Sequence, residues 1–237
     1  MTTTLETVKR HHIRKEFIVG ICKNDLTVPT YSMVDGKAVK RPYYRSLQNM
    51  LQRTCCPKVH SRQPTYRNVT VCKEWLDSAE EFRLWFEAQY RPPRPDLDKD
   101  LLSSPTGPKV YSAETCLFIP KAINTLFSSN RATRGDYPQG VCWDKRDKKF
   151  QANLSINGKN KHIGSYDTAQ DAEIAYLQCK LAHAKVVLRT ELDAAIADNA
   201  PQDWQDRFYQ GGINELRKLN TRLNNLAKQQ AQLKMAA

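Results

Sequence analysis

Two sets of side chains in this sequence stand out for their chemistry. The first is Asp98-Lys99-Asp100, with Glu114 a short way on. Hard divalent cations such as Mg2+ or Mn2+ take carboxylate oxygens, so Asp98, Asp100 and Glu114 form a candidate metal-ligand set. Lys99 is then the candidate catalytic base, or a clamp on a phosphate. A lysine titrates ordinarily at about 10.4, so it serves as a base near neutral pH only where burial lowers its pKa by several units. The triplet follows the break Arg91-Pro92-Pro93-Arg94-Pro95, and Glu114 follows a turn, so a hairpin brings the two together. The same residues equally suit the turns and caps of an inert scaffold. Both readings stand on the sequence.

The second set lies further along. Gln151, Asn153 and Ser155 alternate with Phe150, Ala152, Leu154 and Ile156. Period two is a half-buried strand with one apolar and one amide-and-hydroxyl face. Asn157-Gly158 tolerates positive φ at both positions and closes a hairpin, and Asn160 and His162 then fall on the neighbouring strand. Amides on such a face can pair bidentately with adenine in a major groove, each good pair being worth about 1–3 kcal/mol of discrimination. Lys145, Arg146, Lys148, Lys149, Lys159 and Lys161 crowd the strand ends and turns, where they suit phosphate contacts. An ordinary solvated polar face with a charged rim is the plainer account. The formal charge of +12 tilts the balance, since a basic surplus of that size points to a polyanion, most commonly nucleic acid.

The elements that position these sets read as follows. Three short strands over residues 136–166 precede a helix that Thr168-Ala169-Gln170-Asp171 opens as a capping box. Ala172, Ala175, Tyr176, Cys179 and Ala182 give that helix a stripe of mainly small residues to lay on the sheet. Upstream, residues 17–22 are a β-like apolar run, and residues 28–34 pair with a short strand near Ala38 across Asp35-Gly36. Pro42 opens a helix carrying Tyr44, Leu47, Met50 and Leu51. Residues 55–68 read as a polar loop, and Val69, Val71 and Cys72 as a short strand. Ser78-Ala79-Glu80-Glu81 caps a helix whose Phe82, Trp85, Phe86 and Tyr90 share one face, as core. Residues 96–102 form a short element, and residues 110–119 lead into a helix with Pro120 in its first turn. A polar linker over residues 128–137 marks a domain boundary. Residues 188–197 continue helical to a stop at Asp198-Asn199-Ala200-Pro201. A last helix over residues 202–235 breaks at Gly211-Gly212 and carries Leu216, Leu219, Leu223, Leu226 and Leu233 on a heptad seam, with Gln230 at one seam position. That seam serves either homodimerisation or packing back on the protein.

The first residues are polar and basic, with no apolar signal core, and no run is long enough to span a bilayer, so a cytoplasmic protein is expected. Its seven cysteines then read as reduced thiols. Cys55, Cys56, His60 and Cys72 match none of the usual zinc spacings.

Residues 140–176 resemble the Apetala-two, or ethylene-response-factor, DNA-binding domain, which phage and mobile-element proteins also carry. The match rests on Gly140-Val141-x-Trp143, Phe150-x-Ala152-x-Leu154-x-Ile156, Lys161-His162-Ile163-Gly164-x-Tyr166-Asp167-Thr168 and Asp171-Ala172-Glu173-x-Ala175-Tyr176. The resemblance implies that the sheet, rather than the helix, enters the major groove of double-stranded DNA. The sequence departs from the plant pattern at Cys142 and Asp144, where that family carries DNA-contacting arginines.

Residues 40–127 are similar to the front half of phage-encoded HNH-type homing endonucleases that end in such a domain. The matching blocks include Tyr43-Tyr44-Arg45-Ser46, Val71-Cys72-x-Glu74-Trp75-Leu76, Leu97-Asp98-Lys99-Asp100-Leu101 and Val110-Tyr111-Ser112-x-Glu114-Thr115-Cys116. The resemblance implies a single-metal hairpin-and-helix site, and Asp98-Lys99 stands where an Asp-His pair is expected, so the catalytic set is degenerate. The expected organisation is α+β: an extension over 1–39, a degenerate HNH-like domain over 40–130, an Apetala-two-like domain over 136–188 and a helical tail over 189–237. The expected function is sequence-specific binding of double-stranded DNA, with homing-endonuclease ancestry. Two alternatives remain: an active Mg2+- or Mn2+-dependent endonuclease or nickase, and a protein-binding factor built on a DNA-binding scaffold.

Overall fold

The computed structural model describes residues 21–93, 95–104, 107–128 and 135–236. The polar and basic first residues, most of the apolar run at 17–22 and most of the 128–137 linker lie outside them. The chain is α+β and divides into two compact units, Met1–Gln89 with Ser103–Cys116, and Tyr90–Leu102 with Leu117–Ala237.

In the first unit, β1 (Tyr31–Val34) and β2 (Lys37–Lys40) form a hairpin. Asp35 and Gly36 both have positive φ, the conformation a two-residue primed turn requires. Helix α1 (Pro42–Cys55) starts on its proline and buries Tyr43, Tyr44, Leu47, Met50 and Leu51. Where the sequence reads a polar loop, the structure has α2 (Pro57–Arg62) and a 3-10 turn (Pro64–Tyr66). Each opens on a proline, whose missing N–H costs nothing in a first turn. Strand β3 (Val69–Val71) runs parallel to β5 (Lys109–Tyr111). Helix α3 (Lys73–Asp77) leads to α4 (Ala79–Ala88), capped by Ser78 Oγ, which accepts the Glu81 N–H at 3.0 Å. Trp75, Phe82 and Trp85 pack ring against ring, with centroids 4.7–5.8 Å apart, so these aromatics are core. Tyr90 is not part of that face. Helix α4 ends at Ala88, and Tyr90 sits edge-on to Trp204 in the second unit.

The second unit pairs β4 (Pro95–Asp98) antiparallel with β6 (Leu117–Pro120), and Pro120 stands just before α5 (Lys121–Phe127). The three-stranded antiparallel sheet β7 (Val141–Asp144), β8 (Lys149–Ile156), β9 (Lys159–Tyr166) follows. Helix α6 (Ala169–Ala197) is capped by Thr168 Oγ1, which accepts the Asp171 N–H at 3.0 Å. Helix α7 (Gln202–Ala236) closes the chain. Leu101, Leu117, Ile119, Ile123, Leu188, Trp204 and Phe208 form one core cluster of this unit. Trp204 Nε1 donates to the Phe118 carbonyl at 2.9 Å from within it. The β4–β6 pair and α5 therefore belong with the sheet and the long helices. The compact units divide before residue 90 and around residues 102–117, and residues 189–236 belong to the second unit.

Helix α7 runs unbroken through Gly211 and Gly212. These glycines are points of close approach. A Cβ on Gly211 would stand 2.5 Å from Leu101 Cγ, and one on Gly212 2.7 Å from Leu188 Cδ2. Leu188 meets Gly212, Glu173 pairs with Arg222 and Asp171 accepts from Gln230, so α6 and α7 are antiparallel. Leu216 packs on the first core cluster, and Leu219, Leu223 and Leu226 on the cluster under the sheet, so α6 and the sheet cover most of the heptad seam. Leu233 stays exposed. Among the described residues no helix is long and apolar enough to cross a membrane.

Candidate nucleic-acid interface

The sheet's two faces follow from its register. Val141 opposes Ala152, and Cys142 opposes Gln151. Asn153 opposes His162, Ser155 opposes Asn160, and Gln151 opposes Ser165. Cross-strand partners share a face. One face thus carries Val141, Ala152 and Leu154 and packs on Ala172, Tyr176 and Leu177 of α6. The other carries Cys142, Asp144, Lys149, Gln151, Asn153, Ser155, Asn160, His162 and Ser165.

A β-bulge makes this division possible. Ala152 pairs with Gly164 but Asn153 with His162, leaving Ile163 as an extra residue on β9. One inserted residue shifts the alternation. His162 and Ser165 can then both lie on the polar face while Ile163 and Tyr166 pack on the core. At the entry to β7, Gly140 has φ +79°, and a Cβ there would lie 2.1 Å from a Tyr176 ring carbon and 2.8 Å from the Asn153 carbonyl. Only glycine fits that approach.

The structure gathers Gln151, Asn153, Ser155, Asn160 and His162 on one surface. Lys159 and Lys161 are placed differently. They oppose Ile156 and Leu154, so they stand on the helix side of edge strand β9, exposed at its margin. Lys145, Arg146 and Lys148 lie in the β7–β8 turn, where Lys148 holds φ +49°. Arg146 pairs with Asp147 at 2.8 Å, and Lys149 with Asp167 at 2.9 Å. The arginine beside Asp147 holds that carboxyl below its usual range. No ion pair to Lys145, Lys148, Lys159 or Lys161 occurs among the described residues.

Hydrogen bonds link side chains across the polar face. Asp144 Oδ1 accepts the backbone N–H groups of Arg146 (2.9 Å) and Asp147 (3.2 Å), fixing the turn. Its Oδ2 accepts from Gln151 Nε2. Asn153 Nδ2 lies 3.5 Å from Cys142 Sγ, and Asn153 Oδ1 3.4 Å from His162 Nδ1. Asp144 and Cys142 are the members of this face that alternation along β8 and β9 does not reveal. β7 is too short for its own period to show, and only pairing with β8 brings them in.

The carboxylate set is arranged otherwise. Asp98 and Asp100 belong to the second unit and Glu114, exposed in a turn, to the first. Asp98 Oδ2 accepts the backbone N–H groups of Asp100 (2.8 Å) and Leu101 (2.6 Å), a local turn-capping arrangement. Burial pushes the Asp98 carboxyl up to about 6, with the Asp100 charge adding to the rise and the two N–H bonds opposing it. Lys99 is buried, with Nζ 2.8 Å from Asp100 Oδ2. Among the described residues no three His, Cys, Asp or Glu side chains gather as a metal-binding group. All seven cysteines are free thiols. Burial pushes Cys22 and Cys72 up to about 11, which leaves them protonated and unreactive at neutral pH. His60 Nε2 lies 2.9 Å from the Arg53 carbonyl.

No family model, curated protein or solved structure matches the chain.

Proposed function

We propose that this protein binds double-stranded DNA sequence-specifically, with the polar face of the β7–β8–β9 sheet against the major groove. The observation that carries the reading is that face itself. Three amides (Gln151, Asn153 and Asn160), two hydroxyls (Ser155 and Ser165) and the His162 imidazole on β8 and β9 stand together on a sheet whose other side is packed on α6. The major groove admits β-strands, and amides are the side chains suited to adenine there. The β7–β8 turn brings Lys145 and Lys148 to one end of the face, where they meet phosphates that set the register. The resemblance to the Apetala-two domain agrees with this use of the sheet, and that to the HNH-type homing endonucleases supplies the ancestry.

The test is selection from a randomised duplex library, followed by binding of the selected duplex and of a scrambled one across a salt series. Sequence enrichment together with a salt-dependent affinity is expected. Equal affinity for both duplexes, or none for either, overturns the reading.

A metal-dependent nickase is the second reading, and Asp98 is the observation on its side. A buried carboxyl raised toward neutral is the kind of perturbed group that functional sites use, and the buried Lys99 follows it in sequence. Nicking of supercoiled plasmid that needs Mg2+ or Mn2+ and disappears in Asp98→Ala would establish it.

A further inference from the structure

Asp144 is the unusual member of the polar face, because a carboxylate on a DNA-facing surface repels phosphate. It is also the most constrained. Its Oδ1 takes two backbone N–H groups of the β7–β8 turn, and its Oδ2 takes the Gln151 amide. A carboxylate offers only acceptors. The Gln151 amide must therefore turn its nitrogen toward Asp144, whichever way the amide would otherwise lie, and this leaves Oε1 as its open acceptor.

We propose that Asp144 is a specificity-determining residue that sets Gln151 to read an exocyclic amine. This rests on the sheet being the DNA-reading surface. The two side chains present acceptor oxygens at one position of the face. In the major groove adenine and cytosine offer an amino group there, whereas guanine offers the acceptors O6 and N7 and thymine offers O4 and a methyl group. The base opposite Gln151 is therefore adenine or cytosine, and guanine meets oxygen against oxygen. Asp144 acts through Gln151 and is a positioning residue.

The isosteric change Asp144→Asn inverts this arrangement. The Asn Oδ1 still accepts the Arg146 and Asp147 N–H groups, so the turn is kept. Its Nδ2 replaces Oδ2 and donates, so Gln151 must turn its Oε1 inward and present its NH2 outward. A donor now faces the groove, and guanine becomes the favoured base.

The experiment uses the full chain and a randomised duplex library. Wild type, Asp144→Asn, Gln151→Ala and the double variant are each selected. Binding is then measured on duplexes carrying each of the four bases at every enriched position. The expected result is one position where wild type prefers adenine or cytosine. There Asp144→Asn shifts the ratio of guanine to adenine or cytosine by about tenfold toward guanine. Gln151→Ala removes the preference, and the double variant matches Gln151→Ala. A purely structural role for Asp144 would lower affinity on all duplexes without changing base preference, and that result overturns the inference. So does an Asp144→Asn shift that persists without Gln151. If wild type enriches no sequence, the DNA-reading role of the sheet falls, and the inference with it.

Discussion

The phosphate contacts proposed for the β7–β8 turn yield a quantitative expectation. Four basic residues crowd the turn, but Arg146 is tied to Asp147 and Lys149 to Asp167. Lys145 and Lys148 remain to meet phosphate. Replacing them needs care, because Lys148 sits at φ +49°. Asparagine tolerates that left-handed conformation better than alanine, so the variant is Lys145→Gln with Lys148→Asn. Each phosphate contact contributes about 0.9 to the slope of log K against log salt. Losing two should flatten the slope by about 1.8. Between about 50 and 200 mM salt one contact is worth about a factor of 3.5 and two about a factor of 12, so wild type and variant converge as salt rises. The variant should lose this increment equally on selected and scrambled duplexes, because phosphate contacts carry no sequence information. Fluorescence anisotropy on a labelled duplex across the salt series reads all of this. An unchanged slope would remove the turn from the interface, and a loss confined to the selected duplex would make these lysines base readers instead.

Other expectations follow from individual residues. Gly140→Ala forces a Cβ into the Tyr176 ring at positive φ, and the strain and overpacking together should cost about 2–5 kcal/mol; a shift in the urea midpoint equivalent to less than about 0.5 kcal/mol would contradict the close approach. Asp98 has a folded-state pKa of about 6, above the ordinary carboxyl value of about 3.9, so its contribution to stability is complete below about pH 4 and is lost as pH rises to about 6. Asp98→Asn keeps an oxygen for the Asp100 and Leu101 N–H groups and should flatten that stretch of the stability profile; identical urea profiles for wild type and variant at pH 4, 5, 6 and 7 would refute the assignment. Cys142 is an exposed thiol on the polar face, so bound duplex should slow its reaction with a maleimide several-fold while leaving Cys55 and Cys56 unaffected; equal labelling of Cys142 with and without duplex would place the DNA elsewhere.

The sheet was legible because its signals are local and agree with one another. Strict alternation along β8, Asn157-Gly158 at the turn and Thr168 at the cap each specify one feature, and the structure has all three. What was not legible depends on partners far away in sequence. Gly211 and Gly212 look like a helix break because glycine is a poor helix former, yet their lack of a Cβ is what lets α7 approach Leu101 and Leu188. Tyr90 follows the helical spacing of Phe82 and Phe86, but α4 stops before it and Trp204 holds it. The grouping of β4, β6 and α5 with the long helices rests on Leu117, Ile119 and Ile123 meeting Leu188 and Phe208, which no local pattern announces. Lys159 and Lys161 alternate with Asn160 and His162, so period two does separate them from the polar face. Crowding of charge at the turn hides that separation until the register is known.

The charge of the proposed reading face bears on what kind of binding it would support. The whole chain is +12, but around the β7–β8 turn Lys145, Arg146, Lys148 and Lys149 stand against Asp144, Asp147 and Asp167, leaving little surplus. A face intended to hold any duplex would be expected to carry a large positive excess, because non-specific affinity comes almost wholly from phosphate neutralisation. Here two of the four cations are already paired and one carboxylate is spent orienting an amide. On the proposed reading, that arrangement would weaken attachment to random DNA and make discrimination depend on the amides. It also requires that the amides be held still, since a reader free to rotate gains little from the right base. The supports are present. Gly140 seats β7 against Tyr176, and α7 braces α6 through Arg222–Glu173, Gln230–Asp171 and Gln170, whose side chain donates to the Leu226 carbonyl at 3.2 Å. If the sheet reads bases as proposed, helix α7 supports that reading without lying on the face. Asp167→Asn, which releases Lys149 from its ion pair, should raise affinity for selected and scrambled duplexes alike and so narrow the relative weight of the base contacts. Affinity unchanged on both, measured at about 50 mM salt where the phosphate term is large, would mean that Lys149 does not reach the backbone and that the face discriminates by other means.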